Sequence, residues 1–309
     1  MKRTEKVLIT GFGFIGRHAA DALIEAGYTV AALDRCPDVS NMSALGVAPI
    51  IGDVRDPALL DHIIPCFDAV VNTAGLLGTS EMIEDPIPAV QTNIIGAINV
   101  FQACKKEKRR GRSIRCVHIT VGNHFMDNSY SITKSSSERF AAMFNVEHQT
   151  DIRVVRALNA YGEYQKYYPV RKIIPNFVRA ALSNEPVRVY GDGEQVMDMI
   201  YVKDVAKILV ATLAVESCAL IVSAGTGRRL TVNEIAEKVV AACGSSSTIA
   251  HVPMRAGEPK NSVVLGDTTT LSAIGFNERC LTTWIRRIPG SLGRVGGPVY
   301  LVAVLLLAV

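Results

Sequence analysis

The stretch Ile9-Thr10-Gly11-Phe12-Gly13-Phe14-Ile15-Gly16 decides how this chain is read. Val7-Leu8-Ile9 is a short, wholly apolar run, as a strand buried on both faces would be. From Ile15 the apolar spacing turns helical, through Ala19, Ala22, Leu23 and Ala26, and Gly27 marks the stop. Gly-x-Gly-x-x-Gly therefore falls between a strand and a helix. There Gly11 permits a tight turn, Gly13 lets main-chain amides approach a pyrophosphate, and Gly16 lets helix and sheet pack closely. The diphosphate of a dinucleotide would lie at the positive end of the helix, with Phe14 and Ile15 among the residues that meet it.

The same alternation continues downstream. Strands are expected over 30–33, 49–51, 69–71, 115–119 and 152–155, and helices over about 88–106 and 130–146. Strands and helices alternating at this spacing predict an α/β fold of Rossmann type, a doubly wound parallel sheet covered on both faces. Asp34, at the tip of the second strand, can accept from ribose hydroxyls and would repel a 2′-phosphate, which favours NAD; Arg35 beside it keeps NADP open. Gly52-Asp53-Val54 and Asn72-Thr73-Ala74-Gly75 follow the third and fourth strands, where adenine and ribose would lie. Beyond about residue 156 prolines punctuate shorter elements, and Thr231-Val232-Asn233-Glu234 is a capping box opening an amphipathic helix. The expected organisation is a cofactor-binding domain over 1–155, rejoined by 198–224. A smaller C-terminal substrate-binding lobe would comprise 156–197 and 225–288, with an atypical apolar tail over 289–309.

The 309 residues are 49% apolar and 20% charged, which argues against a disordered or multi-span membrane chain. A net charge of +4, from 33 basic and 29 acidic residues, is too small to suggest nucleic acid. The seven cysteines form no Cys-x-x-Cys pair and show no metal spacing, so a reduced, cytoplasmic protein without metal is expected. The start of the chain leaves no room for a signal peptide. Residues 299–309 are unbroken apolar, yet eleven helical residues reach only about 16 Å, against roughly 30 Å of bilayer hydrocarbon. They cannot span; a last strand or packed terminus is the favoured reading, with weak membrane association or an altered C-terminus as alternatives.

Tyr130-Ser131-Ile132-Thr133-Lys134 puts a phenol and an ammonium four residues apart on one helix face. An adjacent ammonium and a cationic nicotinamide both favour tyrosinate, so the pair can take a proton from a sugar hydroxyl while hydride leaves for the cofactor.

With these residues in view, the chain resembles the extended short-chain dehydrogenase/reductases of the NAD-dependent epimerase/dehydratase family, which act on nucleotide sugars. The resemblance runs from Lys6 to about Arg287. It rests on the glycine turn, Gly52-Asp53-Val54-Arg55-Asp56, Asn93 with Gly96, Tyr130 with Lys134, and Arg156-Ala157-Leu158-Asn159-Ala160-Tyr161-Gly162. It continues through Val189-Tyr190-Gly191-Asp192-Gly193, Asp198-Met199-Ile200-Tyr201-Val202-Lys203-Asp204-Val205 and Met254-Arg255-Ala256-Gly257-Glu258-Pro259. The resemblance implies that Tyr130 is the catalytic base, that Lys134 binds the nicotinamide ribose, and that Asn93 belongs to the cofactor site. It also implies that Asn159 contacts the diphosphate side of the substrate, Tyr190 the base, Arg255 the diphosphate and Glu258 the nucleotide's ribose. Family members dimerise through the helices that carry Asn93 and Tyr130, so a homodimer is expected.

Three departures stand out. Where the family has a second Ser/Thr after the fifth strand this chain has Val121, with Thr120 the candidate substitute. The stretch from Thr120 to Tyr130 is short, and the arginine that commonly precedes Asp198 is Met197. His124, in the shortened loop, is a candidate auxiliary acid or base on the sugar, although a bland role is the more expected one. Gly122 and Asn123 stand where dehydratases carry Asp-Glu and decarboxylases a glutamate, which leaves a 4-epimerase as the leading expectation. Other family reactions, a simple ketone reductase and a catalytically silent NAD-binding module are the alternatives.

Overall fold

The apolar runs of the first half lie side by side as β1 (Lys6–Thr10), β2 (Thr29–Asp34), β3 (Ala48–Ile51), β4 (Ala69–Asn72), β5 (Arg115–Val121) and β6 (Asp151–Ala157). The computed structural model describes residues 4–216 and 221–282; Cys218, Arg287 and the apolar tail lie outside the described residues. A seventh strand, Val222–Ala224, joins the sheet beside β6, giving the order Val222–Ala224, β6, β5, β4, β1, β2, β3. Every pairing in this sheet is parallel. This is the expected α/β Rossmann-type sheet.

Period-two alternation sends side chains of each strand into two cores. Val7 and Ile9 pack with Leu23, Ile208 and Leu209, under the helices Phe14–Glu25 and Val202–Ala214. Leu8 faces the other way, with Phe101 and Phe144 of the helices Ala97–Arg109 and Ser129–His148. Arg153, 1% exposed, threads between layers: its guanidinium pairs with Asp151 and donates to the carbonyls of Thr212 and Val215, where the Val202–Ala214 helix ends. A cation at a helix C-terminus meets both the free carbonyls and the negative end of the dipole.

One element differs from expectation. The single regular helix expected over about 88–106 runs from Ile87 to Arg109 with a π-helical segment, Val90–Gly96, inside it. The wider turn contains Asn93, which is 1% exposed and tied to two other elements, and ends at Gly96, packed against Val54. Tertiary bonds of this kind are invisible in the 3.6-residue periodicity.

After β6 the chain leaves the sheet. Asn159–Tyr161 pairs in parallel with Met199–Tyr201, and Val187–Tyr190 with Ile249–Val252. The helices Ile173–Leu182 and Val232–Ala242 close a third core around Phe177, Val178, Ile235 and Val239. Both reciprocal bonds of the Thr231–Glu234 capping box are made, at 3.1 and 2.8 Å. Among the described residues no helix is long and apolar enough to cross a membrane.

Candidate functional site

A cleft of about 1020 Å³ lies along the carboxyl ends of the parallel strands. Its position follows from the register: Thr10 pairs with Leu33 of β2 on one side and Asn72 of β4 on the other. The loops that follow these strands therefore share one edge, at the point where strand order reverses.

The glycine turn is pressed on one side and open on the other. Gly11 adopts φ +87°, and a Cβ there would stand 2.8 Å from the main chain of Ala74. The Thr73 hydroxyl lies 2.7 Å from the Gly11 carbonyl oxygen, and a methyl at Gly16 would run into that same oxygen. Gly13, the N-cap of the first helix, has no protein atom within 4 Å of the place a Cβ would occupy. An open helix N-terminus in a cleft fits a diphosphate. Asp34 accepts from the main-chain N–H of Phe12 (2.7 Å) and of Cys36 (3.0 Å), which fixes its carboxylate at the tip of β2. Arg35 leans toward Asp53 at 3.9 Å, and hydrogen bonding from Arg55, 2.7 Å away, holds that carboxyl below its ordinary range. Val54, Ala74 and Gly75 complete this end of the cleft. These residues fit a dinucleotide whose ribose is free of phosphate.

Tyr130 stands in the first turn of the helix Ser129–His148, which Asn128 caps by accepting from Ser131 N–H at 2.9 Å. One turn later Lys134 projects on the same face; both line the cleft, and Lys134 is only 3% exposed. The ammonium lies 3.5 Å from where a Gly75 Cβ would be, in ordinary contact, and Asn93 Oδ1 lies closer, at 3.1 Å. Burial dominates both groups. It pushes the Tyr130 phenol above its ordinary value and pulls Lys134 down to about 8. Burial thus opposes the lowering expected of the phenol; the positive charge of an oxidised nicotinamide bound beside the pair would favour tyrosinate. Beneath Lys134 the hydroxyl of Thr10 donates to Asn72, whose amide donates to His118 Nδ1, and Nε2 of that ring bonds Ser137 at 2.9 Å. Burial, then the Lys134 charge, holds His118 well below its ordinary value, so it is a neutral core residue.

Three residues expected in the site have other work. Thr120 lines the cleft, but its hydroxyl donates to Glu138 at 3.0 Å, and Glu138 is gripped by Arg156. Strand alternation explains this: His118 and Thr120 both face the Tyr130 helix, bonding Ser137 and Glu138, whereas Val117 and Ile119 enter the core on the other face and Val121 shares their parity. The proton of the Thr120 hydroxyl is thus committed to Glu138. Asn93 does not line the cleft. Its Oδ1 accepts from Leu76 N–H, and its Nδ2 donates to Leu76 O and to Thr133, so both amide protons are used within the protein. His124 also lies off the cleft wall, bonding the Gly122 carbonyl at 3.1 Å and packing edge-on against Phe125.

On the opposite wall the structure brings together Asn159, Tyr190, Arg255 and Glu258. Asn159 donates to the Asp198 carbonyl at 3.1 Å. Arg255 sits 5.6 Å from the Tyr190 ring centroid and bridges Glu81 (3.0 Å) and Glu258 (3.4 Å). Sequence reasoning missed Glu81, Arg171 and Lys172, which also line the cleft. Arg171 donates to the Tyr190 hydroxyl at 2.6 Å, and Lys172 lies over the Tyr130 ring. The adjacent cations just ahead of an apolar helix were the only available signal. Among the described residues no group of His, Cys, Asp and Glu side chains gathers to hold a metal.

Residues 7–219 match the family model described as the NAD dependent epimerase/dehydratase family. A UDP-N-acetyl-alpha-D-glucosaminuronate decarboxylase of Bacillus cytotoxicus is 29% identical over 269 residues, covering 81% of this chain and 84% of the relative. A dTDP-glucose 4,6-dehydratase of Streptomyces niveus is 27% identical, covering 89% and 88%. Among solved structures, the UDP-N-acetylglucosamine 4-epimerase of Methanobrevibacter ruminantium superposes with a TM-score of 0.80 at 26% identity, covering 89% of this chain and 93% of that one. The names of these three proteins give three different reactions.

Proposed function

The chain belongs to the NAD dependent epimerase/dehydratase family, and on that premise we propose that it is a nucleotide-sugar 4-epimerase with Tyr130 as its acid and base. Bound NAD supplies a hydride acceptor and donor. Tyr130, as tyrosinate, takes the proton of the sugar's C4 hydroxyl as the C4–H pair departs as hydride, leaving a 4-keto sugar. Hydride returns to the opposite face of C4, and Tyr130 gives its proton back to the new hydroxyl oxygen. Lys134 stabilises the tyrosinate and donates to the cofactor's ribose. Arg255 holds the diphosphate, Tyr190 lies against the base, Asn159 supports the diphosphate side, and Glu258 accepts from the nucleotide's ribose.

One observation carries this reading. Tyr130 and Lys134 share the cleft with the glycine turn, whereas the end of β5 and the turn after it present Val121, Gly122, Asn123 and Met126 to the cleft. Elimination of water needs an additional acid and base beside the sugar, and the residues of that turn that line the cleft supply neither; epimerisation needs one group and room for the ketone to turn. Association as a homodimer through the Asn93 and Tyr130 helices belongs to the same proposal. It is supported by Ile95, Ile132, Phe140 and Met143, which are apolar and exposed on those helices.

The test is a panel of UDP-, dTDP- and GDP-sugars, with absorbance of reduced nicotinamide and product stereochemistry followed together. C4 inversion without added cofactor is expected, and Tyr130→Phe should lower kcat by about 10²–10⁴-fold. Loss of water or of CO₂ from the product would replace the epimerase reading with another reaction of the family. NAD binding with no turnover, alike in both forms, would leave a silent module.

A further inference from the structure

Lys172 precedes the helix Ile173–Leu182 on the cleft wall, its ammonium 6.0 Å from the centroid of the Tyr130 ring. No carboxylate of the described residues lies within ion-pair distance of it. The acidic groups that act on it from a distance, Glu81 and Glu258, are both engaged by Arg255, which itself repels it. The position is also an N-cap, where Ser, Thr, Asp or Asn would normally accept from the free amides. Lysine has no acceptor, its side chain makes no cap bond, and the first turn contains no acidic residue. The residue therefore adds a positive charge to a helix start where an acceptor or an acidic group would ordinarily offset the dipole. A cation held partly out of water without a partner is costly, and an anion arriving with a ligand removes that cost.

We propose that Lys172 is the counter-ion of a carboxylate on the sugar, so that the substrates of this site are nucleotide-linked hexuronic acids. The assignment rests on the reading of Tyr130 as the C4 base. On a pyranose the C6 substituent is attached next to C4, on C5, whereas the diphosphate leaves from C1 across the ring. A cation beside the C4 base is thus placed for a C6 anion. The diphosphate has cations of its own around Tyr190: Arg171 bonds its hydroxyl and Arg255 stacks on its ring.

Matched glucuronate and glucose derivatives of UDP, dTDP and GDP test this with the full, NAD-loaded chain. Binding is read in the Tyr130→Phe background, so that turnover does not interfere, and turnover is read in the parent. The glucuronate derivative should bind at least about tenfold more tightly than the glucose derivative of the same nucleotide. Lys172→Met should weaken the glucuronate derivative about thirtyfold while leaving the glucose derivative and the free nucleoside diphosphate within about threefold. Lys172→Arg should restore part of the preference, and unchanged NAD affinity in both variants shows that the fold is intact. An equal loss for glucuronate, glucose and free diphosphate would assign Lys172 to the diphosphate and overturn the proposal, as would a parent protein with no preference or no binding. A Lys172-dependent preference without turnover of any sugar would keep the carboxylate assignment and sink the epimerase reading. Inversion of neutral sugars with no preference for uronates would do the reverse.

Discussion

Asn93 donates from Nδ2 to the hydroxyl of Thr133 at 3.0 Å, one residue ahead of Lys134, and holds both polar main-chain atoms of Leu76 with the same amide. One side chain thus ties the loop after β4 to the helix that carries the reactive pair, with Gly75 and the Lys134 ammonium between them. Asn93→Ala leaves these buried groups without partners and should destabilise the protein by about 2–4 kcal/mol. Chemical denaturation measures that loss. Because the residue braces the helix turn that carries Lys134, NAD affinity and kcat should fall together in the folded variant, and Asn93→Asp should keep the Leu76 N–H bond and recover part of both.

The glycine turn offers two substitutions with opposite signatures. Gly16→Ala collides with the Gly11 carbonyl, so the turn itself must move, and a stability loss of about 1–3 kcal/mol is expected. Gly13→Ala meets no protein atom within 4 Å, so its stability should change by about 1 kcal/mol or less, the cost of alanine at an N-cap. Its methyl instead occupies cleft space beside the helix terminus, and NAD affinity should drop at least about tenfold. Melting temperature and NAD titration, measured side by side, separate the two effects.

Val121 and Thr120 test which hydroxyl the chemistry uses. Val121→Thr places a donor at the end of β5, on the cleft wall, and should raise kcat by about tenfold, within the range of a single added transition-state hydrogen bond. Thr120→Val removes the donor to Glu138 and should cost about 1–2 kcal/mol of stability with kcat little changed. A large kcat loss in Thr120→Val without unfolding would return Thr120 to the reaction.

Lys134 makes stability depend on pH. Its ordinary value is 10.5 and burial brings it to about 8. Between those values the unfolded chain carries a proton that the native chain lacks, so stability rises with pH across this window. Below about pH 8 the full penalty applies, on the order of 3 kcal/mol. Lys134→Met should therefore stabilise the cofactor-free protein near pH 7, flatten the rise toward pH 10, and abolish turnover. Urea midpoints at pH 7 and 9.5 check the sign.

Much of the molecule was written locally. The apolar runs of β1 to β6 and the glycine turn are short-range patterns, and a strand buried on both faces can hardly be spelled otherwise. Tyr130 and Lys134 were legible because four residues is one helical turn. The Thr231 capping box was legible because both of its bonds lie within four residues. The smaller lobe was less legible, since Val187–Tyr190 meets Ile249–Val252 only across some sixty residues of chain.

What the chain alone settled, then, is the fold class and the kind of cofactor, because periodicity and turn chemistry act over one or two turns. Only the tertiary structure decided that Thr120 serves Glu138, that Asn93 is a clamp, that His124 stands off the cleft, and that Lys172 faces Tyr130. Each of these depends on where a side chain finds its partner across long loops. Hydrogen bonds and charges in a partly dry cleft are satisfied by whatever folding brings near, and no spacing in the sequence records that choice.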